Sequence, residues 1–245
     1  MLPDANVLQP LIDVANSILT FCHDTLGTTW GVGIIILTFV TRLAILPLSL
    51  KQIRSMRAMQ AYQPQIKAIQ ERYKDDRQRL QRELMDFYRQ EKINPFASCV
   101  PLLLQLPVFM ALFFLLRSTE FKDEVIASGD PGFLGLTLYE QATGAALIIL
   151  IILYFVTMVG STSIMASSAE GSQRLMMYAL PVVFTPFIIS FPAGLIIYWI
   201  TTNLWTMGQQ MVVKRLIPMP EKKTVEEVRA TAPPPPPPRK KKRRR

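Results

Sequence analysis

The sequence predicts an all-α integral membrane protein, a five-transmembrane-helix bundle with a cytosolic helical hairpin and a disordered basic C-terminal tail. Three observations predict it. Half of the 245 residues are apolar, and they fall in nearly unbroken blocks such as 33–40, 102–116 and 145–156. A span needs roughly 20 mostly apolar residues to cross about 30 Å of hydrocarbon. Backbone groups in that layer must find partners within the chain, so spanning segments are helices or closed barrels, and these blocks are too long and continuous for barrel strands. Finally, the polar segments between the blocks are strongly basic or acidic in alternation.

Residues 1–27 carry Asp4, Asp13 and Asp24 but no Lys or Arg. Leu8, Leu11, Ile12, Ala15, Ile18 and Leu19 recur at helical spacing. They predict an extracytoplasmic amphipathic helix, lying in the membrane surface or packed on the ends of the bundle. The first ten residues lack the positive charge of a secretory signal, so the first span is expected to act as its own insertion signal. That span, 28–50, opens with Trp30, a residue type that anchors helices at the membrane interface. It also contains Arg42 and, near its far end, Pro47.

Residues 51–95 are polar, with 11 basic and six acidic side chains, a net charge of +5. Ile66, Ile69 and Tyr73 make one apolar stripe, and Leu80, Leu84, Phe87 and Tyr88 make another. With Lys74, Asp75 and Asp76 as the turn between them, the segment predicts a cytosolic helical hairpin. Pro64 is expected to kink or restart its first helix. The second span is 96–117. Residues 118–140 are expected to form an extracytoplasmic loop, where five acids face the lone Lys122. The third span is 141–164, the fourth 175–190 and the fifth 195–213, with a tight turn of Phe191, Pro192, Ala193 and Gly194 before the last. The tail, 214–245, has 12 basic residues and three Glu. Its proline run at 233–238 favours extended polyproline backbone, and the cationic cluster after it cannot fold alone.

Five spans put the two ends on opposite sides of the membrane. Basic residues collect on the side of the hairpin, the 165–174 link and the tail. The positive-inside bias therefore predicts a cytoplasmic C-terminus and an extracytoplasmic N-terminus in a bacterial plasma membrane.

Arg42 is the most informative residue. A charge near mid-bilayer costs at least about 2.5–3.5 kcal/mol on insertion scales, so it usually faces a wet cavity or a partner. The alternative is that it snorkels to the cytosolic interface, a reach of about 12 Å past two helical turns. No spanning segment offers an Asp or Glu to pair with it. Thr38, Gln105, Thr157, Ser161, Tyr198, Trp199, Thr202 and Asn203 supply polar groups to the other spans. Each alone could be a helix-packing group; together they suit an aqueous groove. The single His and the two cysteines, Cys22 and Cys99, form no metal cluster or disulfide framework. With no nucleophilic set and no phosphate-binding loop either, the sequence predicts a protein that is not an enzyme and needs no cofactor.

The motif Asn94-Pro95-x-x-x-Cys99-x-Pro101-x-x-x-Gln105-x-Pro107 resembles the opening of the second span in the YidC/Oxa/Alb family of membrane protein insertases. Thr38-x-x-x-Arg42-x-x-x-x-Pro47-Leu48 is similar to that family's first span. Met59-Gln60-x-x-x-Pro64-x-Ile66 and Tyr73-Lys74-Asp75-Asp76 resemble its hairpin. Phe191-Pro192-Ala193-Gly194-x-x-x-Tyr198-Trp199 and Gln209-Gln210 resemble its last span. The likeness covers 28–216. The chain shows neither the extra N-terminal span and large extracytoplasmic domain of Gram-negative members nor the lipobox cysteine of many Gram-positive ones, so actinobacterial-type members are expected to be nearest.

The resemblance implies a groove open to the cytosol and the lipid, in which Arg42, Thr38, Gln105, Tyr198 and Trp199 meet nascent membrane proteins. Thr202 and Asn203 are expected to extend it. It also implies that Met59, Gln60, Tyr73, Lys74, Asp75 and Asp76 in the hairpin recruit substrates, and it adds the Sec translocase as a neighbour. For Arg239, Lys240, Lys241, Lys242, Arg243, Arg244 and Arg245 two partners stay open, anionic lipids and ribosomal RNA in the ribosome. Two other functions fit the composition: a small-anion transporter that uses Arg42, and a passive ribosome tether that uses the tail.

Overall fold

The computed structural model describes residues 7–91, 100–130, 132–166 and 171–216. Among the described residues it is helical apart from one two-stranded hairpin and the turns, and these residues fall into two compact units, those up to 54 with those from 100 to 216, and 55–91.

In the first unit, α1 (Gln9–Thr20) runs into a π-helical turn (Phe21–Thr25), then α2 (Trp30–Ala44) and the first half of α3 (Leu46–Ala61), whose residues from 55 on belong to the second unit. The α2 and α3 axes meet at 60°. Pro47 explains the bend: it offers no N–H to the preceding turn and its ring crowds the carbonyl of Leu43. After α6 (Val100–Arg117) the chain turns by 61° into α7 (Thr119–Ser128). Ser118 caps α7, its hydroxyl accepting the Phe121 N–H at 3.2 Å, and Gly129 ends it in the left-handed conformation. The segment expected to be a loop therefore holds a three-turn helix.

A hairpin of β1 (Gly132–Phe133) and β2 (Leu136–Thr137) follows, turning on Leu134 and Gly135, both at positive φ. Then come α8 (Gly144–Ala166), α9 (Gly171–Ile188) and α10 (Ala193–Leu216). Among the described residues α8 is long and apolar enough to cross a membrane by itself, and up to three spans result if each bent pair counts as one.

The central element is α10, which packs on α8, α2 and α6. Ala193 to Tyr198 are buried without a break. Gly194 lets this helix approach its neighbours: a Cβ there would lie 2.9 Å from Ile34 Cδ1, 3.1 Å from the Leu138 carbonyl oxygen and 3.2 Å from Leu116 Cδ1. The first α10 amides, which no helical carbonyl can satisfy, donate to the chain leaving β2. Ala193 N–H reaches Glu140 O at 2.8 Å and Gly194 N–H reaches Leu138 O at 2.9 Å.

The same end of the bundle is closed by α1 and α7. Buried Ala15 and Leu19 of α1 join a core with Ile34, Leu116, Phe121 and Leu138. Trp30, expected at the membrane interface, is only 2% exposed. Its indole N–H donates to Ser128 Oγ at 3.0 Å, and its backbone N–H donates to Asp130 Oδ2 at 3.1 Å. Its ring stacks on His23 at 4.4 Å and meets Phe121 edge-on at 5.3 Å. Both polar edges of this tryptophan find partners in the α7 segment, which sequence periodicity alone did not separate from a loop.

In the second unit, α4 (Gln63–Arg72) and α5 (Arg77–Gln90) form a hairpin. Pro64 sits in the first turn of α4, where its missing N–H is not needed, so it restarts the helix. Asp76 caps α5, its Oδ1 accepting the Arg79 N–H at 3.0 Å. Tyr62 meets Phe87 edge-on at 5.9 Å, and the Arg79 guanidinium lies 5.0 Å from the Tyr73 ring centre.

Candidate functional site

Arg42 occupies the last turn of α2, just before the elbow. A cation is favoured there by the unpaired carbonyls at the helix end. It is half-buried, and among the described residues it forms no ion pair. Its electrostatic neighbour is the phenol of Tyr198, projecting from the buried first half of α10. Tyr198 is 1% exposed. From α6, Gln105 donates an amide N–H to the Tyr198 oxygen. Three helices distant in sequence thus bring a guanidinium, a phenol and a carboxamide together.

The chemistry of this cluster is lopsided. A guanidinium offers only donors, and the Gln105 amide commits one of its two N–H donors to the phenol. The group best able to complete it is an acceptor, above all a carboxylate, which pairs with Arg through charge-assisted hydrogen bonds.

The remaining predicted residues divide by helix face. Thr38 lies one turn before Arg42 and is fully buried, its hydroxyl donating to the Ile34 carbonyl at 2.7 Å. Its hydrogen is therefore already committed within α2. Thr202 follows Tyr198 by one turn, on the same α10 face, and is buried. Trp199 and Asn203 share the adjacent face. Trp199 stands in a cluster with Phe109, Tyr154, Phe184 and Phe191, the nearest ring centre at 4.9 Å. Asn203 donates to Thr157 Oγ1 of α8 at 3.4 Å. Both residues thus pack on neighbouring helices, Trp199 through its ring and Asn203 through its amide.

In the hairpin, Tyr73 to Asp76 form the α4–α5 turn, with Asp76 used as a cap. Met59 and Gln60 lie in α3, but their side chains fall outside the described residues, as do Arg239, Lys240, Lys241, Lys242, Arg243, Arg244 and Arg245. Among the described residues no group of three or more His, Cys, Asp or Glu could hold a metal.

Sequence reasoning missed one polar chain. Trp205 Nε1 donates to Gln209 Oε1 at 2.9 Å, and Gln209 Nε2 donates to Ser49 Oγ at 2.9 Å, tying α10 to α3 just past the elbow. The four-residue step from Trp205 to Gln209 was a visible signal; Ser49, 160 positions away, carried none.

The family model described as 60Kd inner membrane protein matches residues 21–222. The chain belongs to this family. Within the 60Kd inner membrane protein family it is 36% identical to the membrane protein insertase YidC of Streptomyces avermitilis, over 83% of this chain and 55% of that protein. It is 34% identical to the membrane protein insertase YidC of Francisella tularensis subsp. novicida, over 90% of this chain and 38% of that one. Among solved structures it resembles an active YidC insertase with its first transmembrane domain resolved. The TM-score is 0.65 at 26% identity, covering 85% of this chain and 47% of the other. The chain thus spans between about two-fifths and just over half of the length of these family members.

Proposed function

We propose that this protein is a membrane protein insertase and chaperone that guides nascent membrane proteins from the cytosol into the bilayer. The route is a hydrophilic groove whose charge is the single Arg42, and no nucleotide is hydrolysed. The observation that carries this reading is the Arg42–Tyr198–Gln105 cluster, half-buried and without a carboxylate partner among the described residues. A charge desolvated in this way attracts an acidic residue of a passing segment more strongly than it would in bulk water. A membrane potential positive outside pulls the same segment outward by about 2.3 kcal/mol per charge per 100 mV. The substrate's apolar helix then leaves sideways into lipid, driven by burial of its apolar surface. Such a cycle breaks no covalent bond, so it is not enzymatic.

The spans in this proposal are 28–50, 96–117, 141–164, 175–190 and 195–213. The acidic α7 segment lies outside with the N-terminus, and the 51–95 hairpin and 214–245 tail lie in the cytosol of a bacterial cell. The alternation of basic and acidic polar segments supports that orientation. The hairpin turn at Tyr73, Lys74, Asp75 and Asp76 recruits substrates together with Met59 and Gln60, and the tail engages ribosomal RNA or anionic lipid. The Sec translocase is a further partner in this scheme.

The test is insertion of a single-span substrate with an acidic outward tail into vesicles holding the purified protein. Arg42→Ala should lower the inserted fraction several-fold. Equal insertion with and without the protein would remove the proposal.

A further inference from the structure

We infer that the groove between the α2–α3 elbow and the C-terminal half of α10 binds one anionic phospholipid, with hydrocarbon in the groove and phosphate at Lys51 and Arg215. The groove is separate from the Arg42 cluster and does not depend on the insertase reading. It encloses about 820 Å³, with Ile35 and Phe39 on one wall, Leu46 and Leu50 past the bend, and Leu204 and Val212 opposite. The bend creates it: a straight continuation of α2 would leave no inner angle. Gly208 keeps its floor open, since a Cβ added there meets no atom within 4 Å.

Its chemistry favours hydrocarbon. The polar side chains on its wall are Thr201, Trp205 and Gln209. Thr201 donates to the Ile197 carbonyl at 2.9 Å, Trp205 to Gln209 and Gln209 to Ser49. With each engaged inside the protein, a polar guest has little to replace its lost water. The groove's volume falls within the range of about 300–1,000 Å³ that suits single small molecules.

Two cations adjoin the lining residues along the chain. Lys51 follows Leu50, and Arg215 lies between the lining residues Val213 and Leu216. Both cations are exposed, and among the described residues neither is in an ion pair. Two basic side chains beside an apolar groove complement a phosphate joined to acyl chains.

The experiment uses the full chain in nanodiscs of phosphatidylcholine and phosphatidylglycerol, with retained lipid weighed by native mass spectrometry. The wild type should retain one phosphatidylglycerol in preference to phosphatidylcholine. Gly208→Trp, and the smaller Gly208→Leu, should lose the retained lipid while unfolding cooperatively like the wild type. Lys51→Gln with Arg215→Gln should keep a lipid but lose the headgroup preference by roughly 30-fold, two cations' worth of attraction. Equal retention in both Gly208 variants would overturn the inference, as would a wild type without headgroup preference. So would a photo-crosslinker at position 208 that captures a single-span peptide and no lipid.

Discussion

Gln105 on α6 donates its side-chain amide to the phenolic oxygen of Tyr198 on α10, and that phenol is the electrostatic neighbour of Arg42 on α2. One buried oxygen therefore links the helices around the proposed groove. Tyr198→Phe keeps the ring and removes that oxygen. It should cost about 1–2 kcal/mol of stability, as expected for a buried hydrogen bond whose partner is left unpaired. Thermal unfolding of the detergent-solubilised protein measures this. A double-mutant cycle with Gln105→Leu should return a coupling of about 1 kcal/mol; additive effects would mean that the two side chains do not act together.

If attraction of acidic residues is the work of Arg42, the effect of replacing it must scale with the substrate's charge. Arg42→Lys keeps the charge but loses the planar fork, and should retain most insertion of a substrate with a two-carboxylate tail. Arg42→Ala should lose it several-fold. Both should insert a neutral-tailed substrate like the wild type. Vesicle insertion assays on the two substrates give the comparison, and a neutral tail hindered as strongly as the acidic one would show that charge is not the cause.

Much of this arrangement was legible in the sequence, and the part that was not has identifiable causes. Arg42 stood out because no acid lies near it in an apolar run. Helix α8 was visible because its apolar residues are continuous. Helix α7 was hidden by Glu120, Asp123 and Glu124, although Ser118 and Gly129 bracket it with ordinary start and stop signals. Composition also could not divide the polar residues of α10. Tyr198 and Trp199 are adjacent, yet 100° of helical rotation sends one toward Arg42 and the other into the Phe109–Phe191 cluster. Pairs such as Gln105 with Tyr198 and Ser49 with Gln209 need the chain folded before they exist.

Gly194 sits where α10 packs against Ile34 of α2, and the Leu138 carbonyl oxygen there belongs to backbone that is itself hydrogen-bonded to Gly194. Gly194→Ala forces that backbone or Ile34 to move and should destabilise by about 1–3 kcal/mol, the usual cost of overpacking. Gly194→Val should cost more. The contrasting position is Gly208, where an alanine meets open space and improves helix propensity, so Gly208→Ala should be neutral or stabilising by up to about 1 kcal/mol. Melting temperatures of the two alanine variants, measured side by side, test the contrast.

Leu134 turns the β1–β2 hairpin at φ 50° with its side chain 89% exposed. A branched aliphatic residue gains nothing from such a site and is strained in the left-handed region, whereas Asn followed by Gly is the preferred pair for a two-residue turn with both φ positive. Leu134→Asn should therefore stabilise the protein by about 0.5–1 kcal/mol, seen as a raised melting temperature with insertion unchanged.

Asp130 holds two backbone amides at once, Trp30 N–H through Oδ2 at 3.1 Å and Gly132 N–H through Oδ1 at 2.9 Å. It fixes the start of α2 to the β1–β2 hairpin, and the chain leaving that hairpin receives the first amides of α10. Asp130→Ala leaves both donors unpaired beside a buried tryptophan and removes a negative charge from a helix N-terminus, a combined loss of about 2–3 kcal/mol. Asp130→Asn retains one acceptor oxygen and should cost about half as much. Hydrogen exchange should show faster opening at Trp30 and Gly132 in the alanine variant, with α4 and α5 exchanging as before. Uniform acceleration across the hairpin helices would instead mean that Asp130 supports the whole chain and not this one junction.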